Sequence, residues 1–456
     1  MKNKKTINLT EGPILKVLTK LAVPIMASSF LSTAYSITDM AWIGTLGSKA
    51  VAGVGVGGMY VWLSQGLASL ARMGGQVQAG QALGRGDRES AKNYAAAAVQ
   101  MVVLFGVLFG AVSLIFTDVL ISFFGLTDPL TIRYAKEYLR ITCGLIVFAY
   151  LNYTLTGLYT AQGDSRTPLT ANVAGLVMNM IMDPILIRGW GFFPRMEAVG
   201  AAVATVSAQM LVTCVLVAGI LRSGDSDNIL REIHYLRLPN KQYFKNIVKI
   251  GGPTALQGTV YCMISMVLTR MVSAFGEGAI AVQRVGGQIE SVSWNTADGF
   301  GAALNAFTAQ NYGAGKMERV KKGYRISALT IAVWGLLITV LFVLFPKQIS
   351  GVFFHEADVI AISVEYLIIV GLGEAFMCVE LLAVGAVSGL GNTKLCSLIS
   401  IVLTGLRIPL ALVLSHTSMG LNGIWWALTL TSMAKGVVLH LAFRKQCRDS
   451  AGAVQI

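Results

Sequence analysis

Asp39 and Asp183 are the residues best placed to do chemistry, because each lies inside a long apolar stretch of the sequence. A charged side chain in hydrocarbon is costly unless it is paired, hydrated or protonated. Asn179 precedes Asp183 by one helical turn, so the amide and the carboxylate share a helix face. Pro184 follows and leaves a backbone carbonyl of the preceding turn without its helical hydrogen bond. This pattern predicts a polar site within an apolar helix.

Two neighbouring apolar stretches each add one oxygen-bearing side chain, Asn152 and Thr205. Together with the aspartates and Asn179 they predict a cation-binding pocket. Asp39, Asn179 and Asp183 form its centre, because carboxylate and amide oxygens suit a hard cation such as Na⁺. Without Na⁺, two acids close together in a low dielectric are expected to hold a proton. The alternative is that the aspartates only pair with buried arginines such as Arg72, or cap a broken helix.

Apolar stretches cover most of the chain, whose mean hydropathy is +0.65 and whose charged fraction is 13%. Ordinary soluble domains have about a quarter of charged residues, so a soluble protein is excluded. Each stretch is long enough to cross a bilayer as a helix. The twelve predicted spans lie near residues 15–43, 52–80, 92–116, 131–158, 168–188, 198–221, 247–274, 279–311, 324–345, 358–388, 394–414 and 420–443. The fold class is therefore an all-α polytopic membrane protein.

The sequence repeats with a shift of about 229 residues, which places six spans in each copy. The shift aligns Pro24 with Pro253, Gly47 with Gly276 and Gln81 with Gln310, whereas Asp39 falls on Leu268 and, with the shift reduced by one, Asp183 on Ala411. An even number of spans gives both copies the same orientation, so the predicted pseudo-two-fold axis runs along the membrane normal. The predicted domains are an N-lobe (1–222), a cytoplasmic linker (223–245) and a C-lobe (246–456).

The net charge of +13 comes mainly from lysines and arginines that would share one side of the membrane. They include Arg85, Arg88, Lys92, Lys316, Arg319, Lys321, Lys322, Arg444 and Lys445. Such a bias marks cytoplasmic loops and predicts cytoplasmic termini in a plasma or inner membrane. Aromatic or polar side chains that would contact nucleic-acid bases do not accompany these charges, so nucleic-acid binding is not expected. The six cysteines lack metal-ligand spacing, and no cofactor is expected.

Other polar, aromatic and methionine side chains predict a surface that a flat organic cation would contact by stacking and adaptable packing. The candidates are Tyr35, Trp62, Met178, Gln257, Gln283, Arg284, Glu290 and Glu374. The acids and bases of the second copy are nearly balanced, so internal salt bridges are the alternative there. Pro24 and Pro253 remove helical hydrogen bonds and predict hinges in the first helix of each copy.

Several motifs resemble the multidrug and toxic compound extrusion (MATE) family. They are Gly44-Thr45-Leu46-Gly47-Ser48-Lys49-Ala50-Val51-Ala52-Gly53, Gln81-Ala82-Leu83-Gly84-Arg85-Gly86-Asp87, Gln162-Gly163-Asp164-Ser165-Arg166-Thr167-Pro168 and Gln310-Asn311-Tyr312-Gly313-Ala314-Gly315-Lys316. The resemblance implies a cation-coupled efflux antiporter with two six-helix lobes. It is closer to the branch of the DNA-damage-inducible F and archaeal members, whose first-lobe site matches Asp39, Asn152, Asn179, Asp183 and Thr205.

The NorM branch of that family carries a glutamate after the proline of helix seven and an aspartate on helix ten. Here Gln257 follows Pro253, and helix ten offers Glu374 and Glu380, which departs from the NorM pattern. A second-lobe cation site is therefore not predicted.

The function predicted from these residues is a Na⁺- or H⁺-driven antiporter that exports small amphipathic compounds by alternating access, with the cation in the N-lobe. We expect a monomer in the lipid bilayer. The alternative is a flippase for a lipid-linked precursor or metabolite, which Arg72, Arg284 and Arg407 would suit. An enzyme is disfavoured, because no serine, cysteine or histidine constellation suggests nucleophilic catalysis.

Overall fold

A computed structural model describes residues 7–190, 194–223, 228–233, 237 and 239–453, and within them every regular element is a helix. In the first copy these are α1 (Ile14–Gly44), α2 (Ser48–Gly84), α3 (Arg88–Ile115), α4 (Thr117–Ser122), α5 (Pro129–Gly144), α6 (Val147–Ala161), α7 (Arg166–Arg188) and α8 (Glu197–Arg222). A 3₁₀ turn (Ile229–Glu232) follows. In the second copy they are α9 (Lys241–Ser273), α10 (Glu277–Gly313), α11 (Met317–Leu344), α12 (Pro346–Phe353), α13 (Ala357–Gly371), α14 (Glu374–Gly389), α15 (Thr393–Gly405), α16 (Arg407–Ser415) and α17 (Leu421–Ala453).

The prediction of an all-helical membrane protein with six spans in each copy is confirmed. In the described part of the chain, eight stretches are long and apolar enough to cross a membrane, and two bent helix pairs raise that number to ten. α2 and α10, with 37 residues each, are longer than the other spans, but glycines and polar residues interrupt their apolar sequence. The predicted linker and termini include residues 1–6, 224–227, 234–236, 238 and 454–456, which lie outside the described residues.

Two spans that the sequence predicts as single helices are broken at equivalent positions of the repeat. α5 and α6 meet at an angle of 46°, and α13 and α14 meet at 48°. The breaks follow Tyr138 in the first copy and Tyr366 in the second, which the repeat aligns with each other. Proline is absent from both breaks, so the sequence lacked the usual signal for a kink.

The helices pack into two compact units, and α1 and α9 each pass from one unit into the other. One unit contains Ile7 and Ala27–Ala255, and the other contains Asn8–Met26 and Leu256–Ile456 up to the last described residue. Both helices continue through their prolines, Pro24 and Pro253. The predicted N-lobe and C-lobe follow the two copies of the sequence repeat and stay a prediction. The compact units are defined by packing instead, and their boundaries fall inside α1 and α9.

The first half of α9 packs closely on α2 in the unit that contains Ala27–Ala255. A Cβ atom built on Gly251 would lie 1.9 Å from the Leu70 carbonyl oxygen, and one built on Gly74 would lie 2.4 Å from the Ile247 carbonyl oxygen. Real side chains do not tolerate such distances. Glycine at both positions therefore sets the separation of these helices, as small residues do at membrane helix interfaces.

Gly251→Ala is expected to destabilise the protein by about 1–3 kcal/mol, because overpacking a close contact forces the backbone apart. Thermal unfolding in detergent, followed by loss of a monodisperse elution peak, measures the effect. Gly258→Ala is the matched control on the same helix, since no atom lies within 4 Å of its Cβ position. Equal thermal stability of the two variants would contradict the proposed packing constraint.

Candidate cation and substrate sites

Asp39 on α1 and Asp183 on α7 belong to the same compact unit and interact electrostatically. The side chains of Asp183 and Asn179 are completely buried. Asn179 Nδ2 donates a hydrogen bond of 3.1 Å to Asp183 Oδ1, as the one-turn spacing predicts. The structure thus brings three of the predicted cation-binding residues together.

Three buried oxygen atoms of the aspartates and Asn179 have no hydrogen-bond partner in the protein. They are Asp39 Oδ1, Asp183 Oδ2 and Asn179 Oδ1. A buried polar atom without a partner is costly, because it loses its bonds to water. A bound cation, a proton on a carboxylate or an ordered water would remove that cost. The chemistry of this oxygen set fits a hard cation.

Two phenols complete the pocket, and the sequence did not identify either as part of it. Thr205 on α8 faces the hydroxyls of both Tyr35 and Tyr138, and both tyrosines lie within electrostatic range of Asp39 and Asp183. Tyr35 was predicted only as a substrate-lining residue, and Tyr138 was missed. Tyr35 lies one turn before Asp39, a spacing that places both on one face and is the signal available in the sequence.

Asn152, the remaining predicted ligand, is bonded to α8. Its Nδ2 donates to the backbone carbonyl of Gln209 at 2.9 Å and to Gln209 Oε1 at 2.8 Å. Thr213 Oγ1 donates to Asn152 Oδ1 at 2.7 Å. The amide therefore joins α6 to α8 beside the pocket, and its role as a cation ligand stays a prediction.

The alternative that Arg72 neutralises the aspartates finds no support in these contacts. The Arg72 guanidinium carbon lies 4.2 Å from the centroid of the Tyr153 ring, a cation–π distance. Among the described residues, no lysine, arginine or histidine forms a salt bridge with Asp39 or Asp183. Within that same part of the chain, no group of three histidine, cysteine or acidic side chains forms a metal site.

The other unit contains a second polar cluster, centred on two predicted substrate-lining glutamates. Tyr366 donates a hydrogen bond to Glu290 Oε1, and the buried Glu374 interacts electrostatically with Glu290. Arg407 lies within electrostatic range of Glu290. Arg407 also donates to Thr431 Oγ1 at 2.9 Å and to Ser432 Oγ at 2.8 Å. The two glutamates are thus brought together, as members of a partly buried network.

A buried ion pair lies beside this network. Lys435 Nζ on α17 is 2.6 Å from Glu380 Oε1 on α14, and the two side chains are only 5% and 10% exposed. The sequence predicted internal salt bridges in the second copy but did not name Lys435. Glu380 Oε2 has no hydrogen-bond partner, so the amine is the group that stabilises this carboxylate.

The remaining predicted substrate-lining residues are more exposed and more scattered. Trp62 is half-exposed, Arg284 is exposed, and Met178, Gln257 and Gln283 are intermediate. Gln283 Nε2 lies 3.5 Å from Thr269 Oγ1. Their role as substrate contacts stays a prediction.

A family model described as MatE matches residues 24–185 and 253–413, once in each copy of the repeat. The chain belongs to the MatE family. The predicted membership in the MATE family is thereby confirmed, and proteins of this family are transporters rather than enzymes. The two matched segments begin at Pro24 and Pro253, the equivalent prolines of α1 and α9.

Similar proteins extend over most of this MATE chain. A "Probable multidrug resistance protein NorM" of Thermotoga maritima is 29% identical over 426 residues, which cover 90% of this chain and 88% of that protein. An "FAD transporter" of Shewanella oneidensis is 24% identical and covers 96% of both chains. A "Crystal structure of MATE in the bent conformation" superposes with a TM-score of 0.90 at 22% identity, covering 99% of this chain and 100% of that one.

These comparisons do not assign a branch within the MATE family. The predicted closeness to the DNA-damage-inducible F and archaeal members stays a prediction, and the Thermotoga relative carries the NorM name. The likeness to the bent-conformation structure supports the helical fold that the MATE chain adopts.

Substitution of Asn179 and substitution of Asn152 by alanine are expected to have different effects. Asn179→Ala removes an oxygen and a hydrogen bond to Asp183, so we expect about a tenfold or greater rise in the cation concentration needed for half-maximal transport. Asn152→Ala is expected to lower thermal stability, because it leaves Gln209 Oε1 without its donor and removes one of the two acceptors of Thr213 Oγ1. Cation titration of transport and thermal unfolding separate the two effects. A larger change in cation requirement for Asn152→Ala would contradict this assignment.

Proposed function

We propose that this MATE protein exports small amphipathic organic compounds in exchange for Na⁺ or H⁺ by alternating access. The observation that carries the proposal is the pair Asp39 and Asp183, in which each carboxylate has a buried oxygen without a hydrogen-bond partner and neither forms a salt bridge with a base of the described chain. A buried carboxylate pair needs a positive charge to be stable in a membrane. The coupling cation supplies that charge and is itself transported in exchange for the exported compound.

The coupling follows from the positions of the two aspartates. Asp39 lies on α1 and Asp183 on α7, so a cation between them stabilises one arrangement of these helices. Pro24 and Pro253 are the proposed hinges of α1 and α9. A cation shifts a conformational equilibrium only by the difference between its affinities for the two states. Substrate release is therefore proposed to accompany cation binding, with both termini in the cytoplasm.

The names of two relatives support different cargoes. The Thermotoga relative is named as a multidrug resistance protein, which supports export of amphipathic compounds. The Shewanella relative is named as an FAD transporter, and the buried Arg407 is a group that recognises anions. Export of an anionic metabolite is therefore the second candidate, in place of drug export.

Purified protein in liposomes tests the proposal. We expect an imposed inward gradient of Na⁺ or H⁺ to drive movement of ethidium, and ethidium movement to drive the cation in the opposite direction. A panel that includes FAD distinguishes the two cargo classes. Movement of ethidium at the same rate with and without either gradient would contradict cation coupling.

A further inference from the structure

A short arm precedes the first helix of each copy, and the two arms have the same local design. The first arm is Asn8–Gly12 and the second arm is Asn228–Ile233. Asn8 Oδ1 accepts from the backbone N–H of Thr10 at 3.0 Å, and Asn228 Oδ1 accepts from that of Leu230 at 2.9 Å. The residue after each asparagine, Leu9 or Ile229, is buried. Each arm is therefore an Asx turn that inserts an aliphatic side chain.

The first arm binds to the connection between α10 and α11 in its own compact unit. Four successive backbone carbonyls of the arm accept hydrogen bonds from three side chains. These are Asn311 Nδ2 to Leu9 O (2.9 Å), Lys316 Nζ to Thr10 O (3.0 Å), Arg319 Nη2 to Glu11 O (2.7 Å) and Arg319 Nη1 to Gly12 O (2.8 Å). The donors are mostly cationic, and such bonds are stronger than those between neutral groups.

The second arm binds to the start of α3 in the other unit by a different set of contacts. Glu232 Oε1 accepts from Arg88 Nη2 at 2.8 Å, and Glu232 Oε2 lies 2.5 Å from Lys92 Nζ. The hydrogen bond from Lys92, together with Arg88, holds the pKa of Glu232 below its ordinary value. Ile229 N donates to Gln162 Oε1 at 2.9 Å. A salt bridge here replaces the carbonyl contacts of the first arm.

The receptors of the first arm are specific to the second copy. The repeat aligns Asn311, Lys316 and Arg319 with Ala82, Asp87 and Ser90. None of those three side chains offers the cationic donors that the first arm requires. The first arm therefore matches the receptor residues of the second copy and not their counterparts in the first copy.

Each arm belongs to the same compact unit as the first half of the helix that follows it in the sequence. The first arm and the beginning of α1 up to Met26 lie in one unit, and the second arm and the beginning of α9 up to Ala255 lie in the other. The rest of each helix belongs to the opposite unit. A rearrangement that carries either helix half away from its present unit must therefore break the contacts of its arm.

We propose that the two arms are releasable latches: they hold the first halves of α1 and α9 on their present units, and both arms must release in every transport cycle. This inference rests on the proposed alternating-access function. It assigns to Leu9, Arg319 and Glu232 a role in the conformational equilibrium, at a distance from the cation pocket. The bonds from Lys316 and Arg319 lie at the surface and can be exchanged for water at modest cost. Release of the first arm must in addition expose the buried Leu9.

Reversible cross-linking of the first arm tests the proposal. Thr10→Cys and Lys316→Cys are introduced after replacement of the six native cysteines, and a bifunctional thiol reagent with a cleavable disulfide joins them. We expect cross-linking to lower ethidium transport by at least about tenfold, and cleavage of the reagent to restore it. The matched control is Arg133→Cys with Glu137→Cys, a pair within α5 whose side chains lie 3.2 Å apart. Its cross-linking should leave transport unchanged.

A second measurement does not depend on cross-linking. Hydrogen exchange in Asn8–Gly12 and Asn228–Ile233 should increase during turnover with ethidium, and Arg319→Gln should increase exchange in the first arm by about ten- to hundredfold without substrate. Undiminished transport after cross-linking, or unchanged exchange during turnover, overturns the latch proposal. Absence of cation-driven transport before cross-linking would instead contradict the proposed function, and the exchange measurement would still test the arm.

Discussion

Asp183→Asn is expected to abolish cation-driven transport while the protein still folds and reaches the membrane. The substitution keeps the size of a completely buried side chain and removes its negative charge, so the pocket no longer attracts a cation. Asp39→Asn should act in the same way. A coupling free energy of about 1–3 kcal/mol corresponds to a roughly 5- to 150-fold effect. We expect cation-driven transport by each variant to fall by at least this factor.

Ligand-dependent stability provides a readout independent of transport. If Na⁺ is the coupling ion, it should raise the thermal unfolding midpoint of the wild-type protein, because a ligand at 100 times its Kd stabilises by about 2.7 kcal/mol. Choline at the same ionic strength should not. The midpoint of Asp183→Asn should be insensitive to Na⁺. If H⁺ is the coupling ion, the midpoint and the transport rate should instead depend on pH in the wild-type protein alone.

An exposed aspartate supplies the control for these measurements. Asp118 is 72% exposed and lies 2.7 Å from Lys136, so Asp118→Asn changes the same chemical group outside the pocket. Its transport and its response to the cation should match the wild-type protein. Full cation-driven transport by Asp183→Asn, with normal protein levels, would show that the carboxylate pair is not the coupling site.

Lys435→Met is expected to cause the largest loss of stability of any single substitution considered for the second unit. It leaves Glu380 buried without its partner, and removal of one member of a buried ion pair costs about 3–5 kcal/mol. Glu380→Gln alone should also destabilise, because it strands the buried ammonium group. Thermal unfolding in detergent measures both variants.

The double variant Glu380→Gln with Lys435→Met separates the two possible roles of this pair. Replacement of both members of a buried ion pair is often neutral or stabilising, so the double variant should regain most of the wild-type unfolding midpoint. Recovery of stability together with transport would identify a structural pair. Recovery of stability without transport would identify a pair that transport requires. Stability as low as in the single variants would contradict the proposed pairing.

The aspartates could be found from the sequence, because a carboxylate in an apolar membrane helix is energetically costly and therefore rare. Tyr138 could not, since a tyrosine in a membrane helix usually only packs or lies near the lipid headgroups. Its hydroxyl reaches the pocket because α5 carries it to Thr205, and the break that follows α5 contains no proline to predict it. The charged residues of the pocket could thus be predicted from the sequence. Its neutral residues could be identified only from the positions of the helices in the structure.

Lys435 shows a second reason for incomplete prediction. It lies nine residues before Arg444, so it resembles the lysines near helix ends that extend toward the headgroups. In the structure α17 continues to Ala453, which places Lys435 inside the helix and against Glu380. Ion pairs between distant segments depend on which helices are neighbours, and the repeat predicted the number of helices but not these contacts.

The division of α1 between two units has a consequence for biosynthesis. The ribosome makes Asn8–Met26 first, yet the unit that contains this segment resumes only at Leu256. The segment must therefore wait in the membrane until all of Ala27–Ala255 has been synthesised, and contacts so distant along the chain form slowly. During that interval the apolar surface of the nascent segment, which includes Leu18 and Leu21, faces lipid or insertion machinery. Assembly of this unit therefore cannot be completed before the second copy of the repeat has been synthesised.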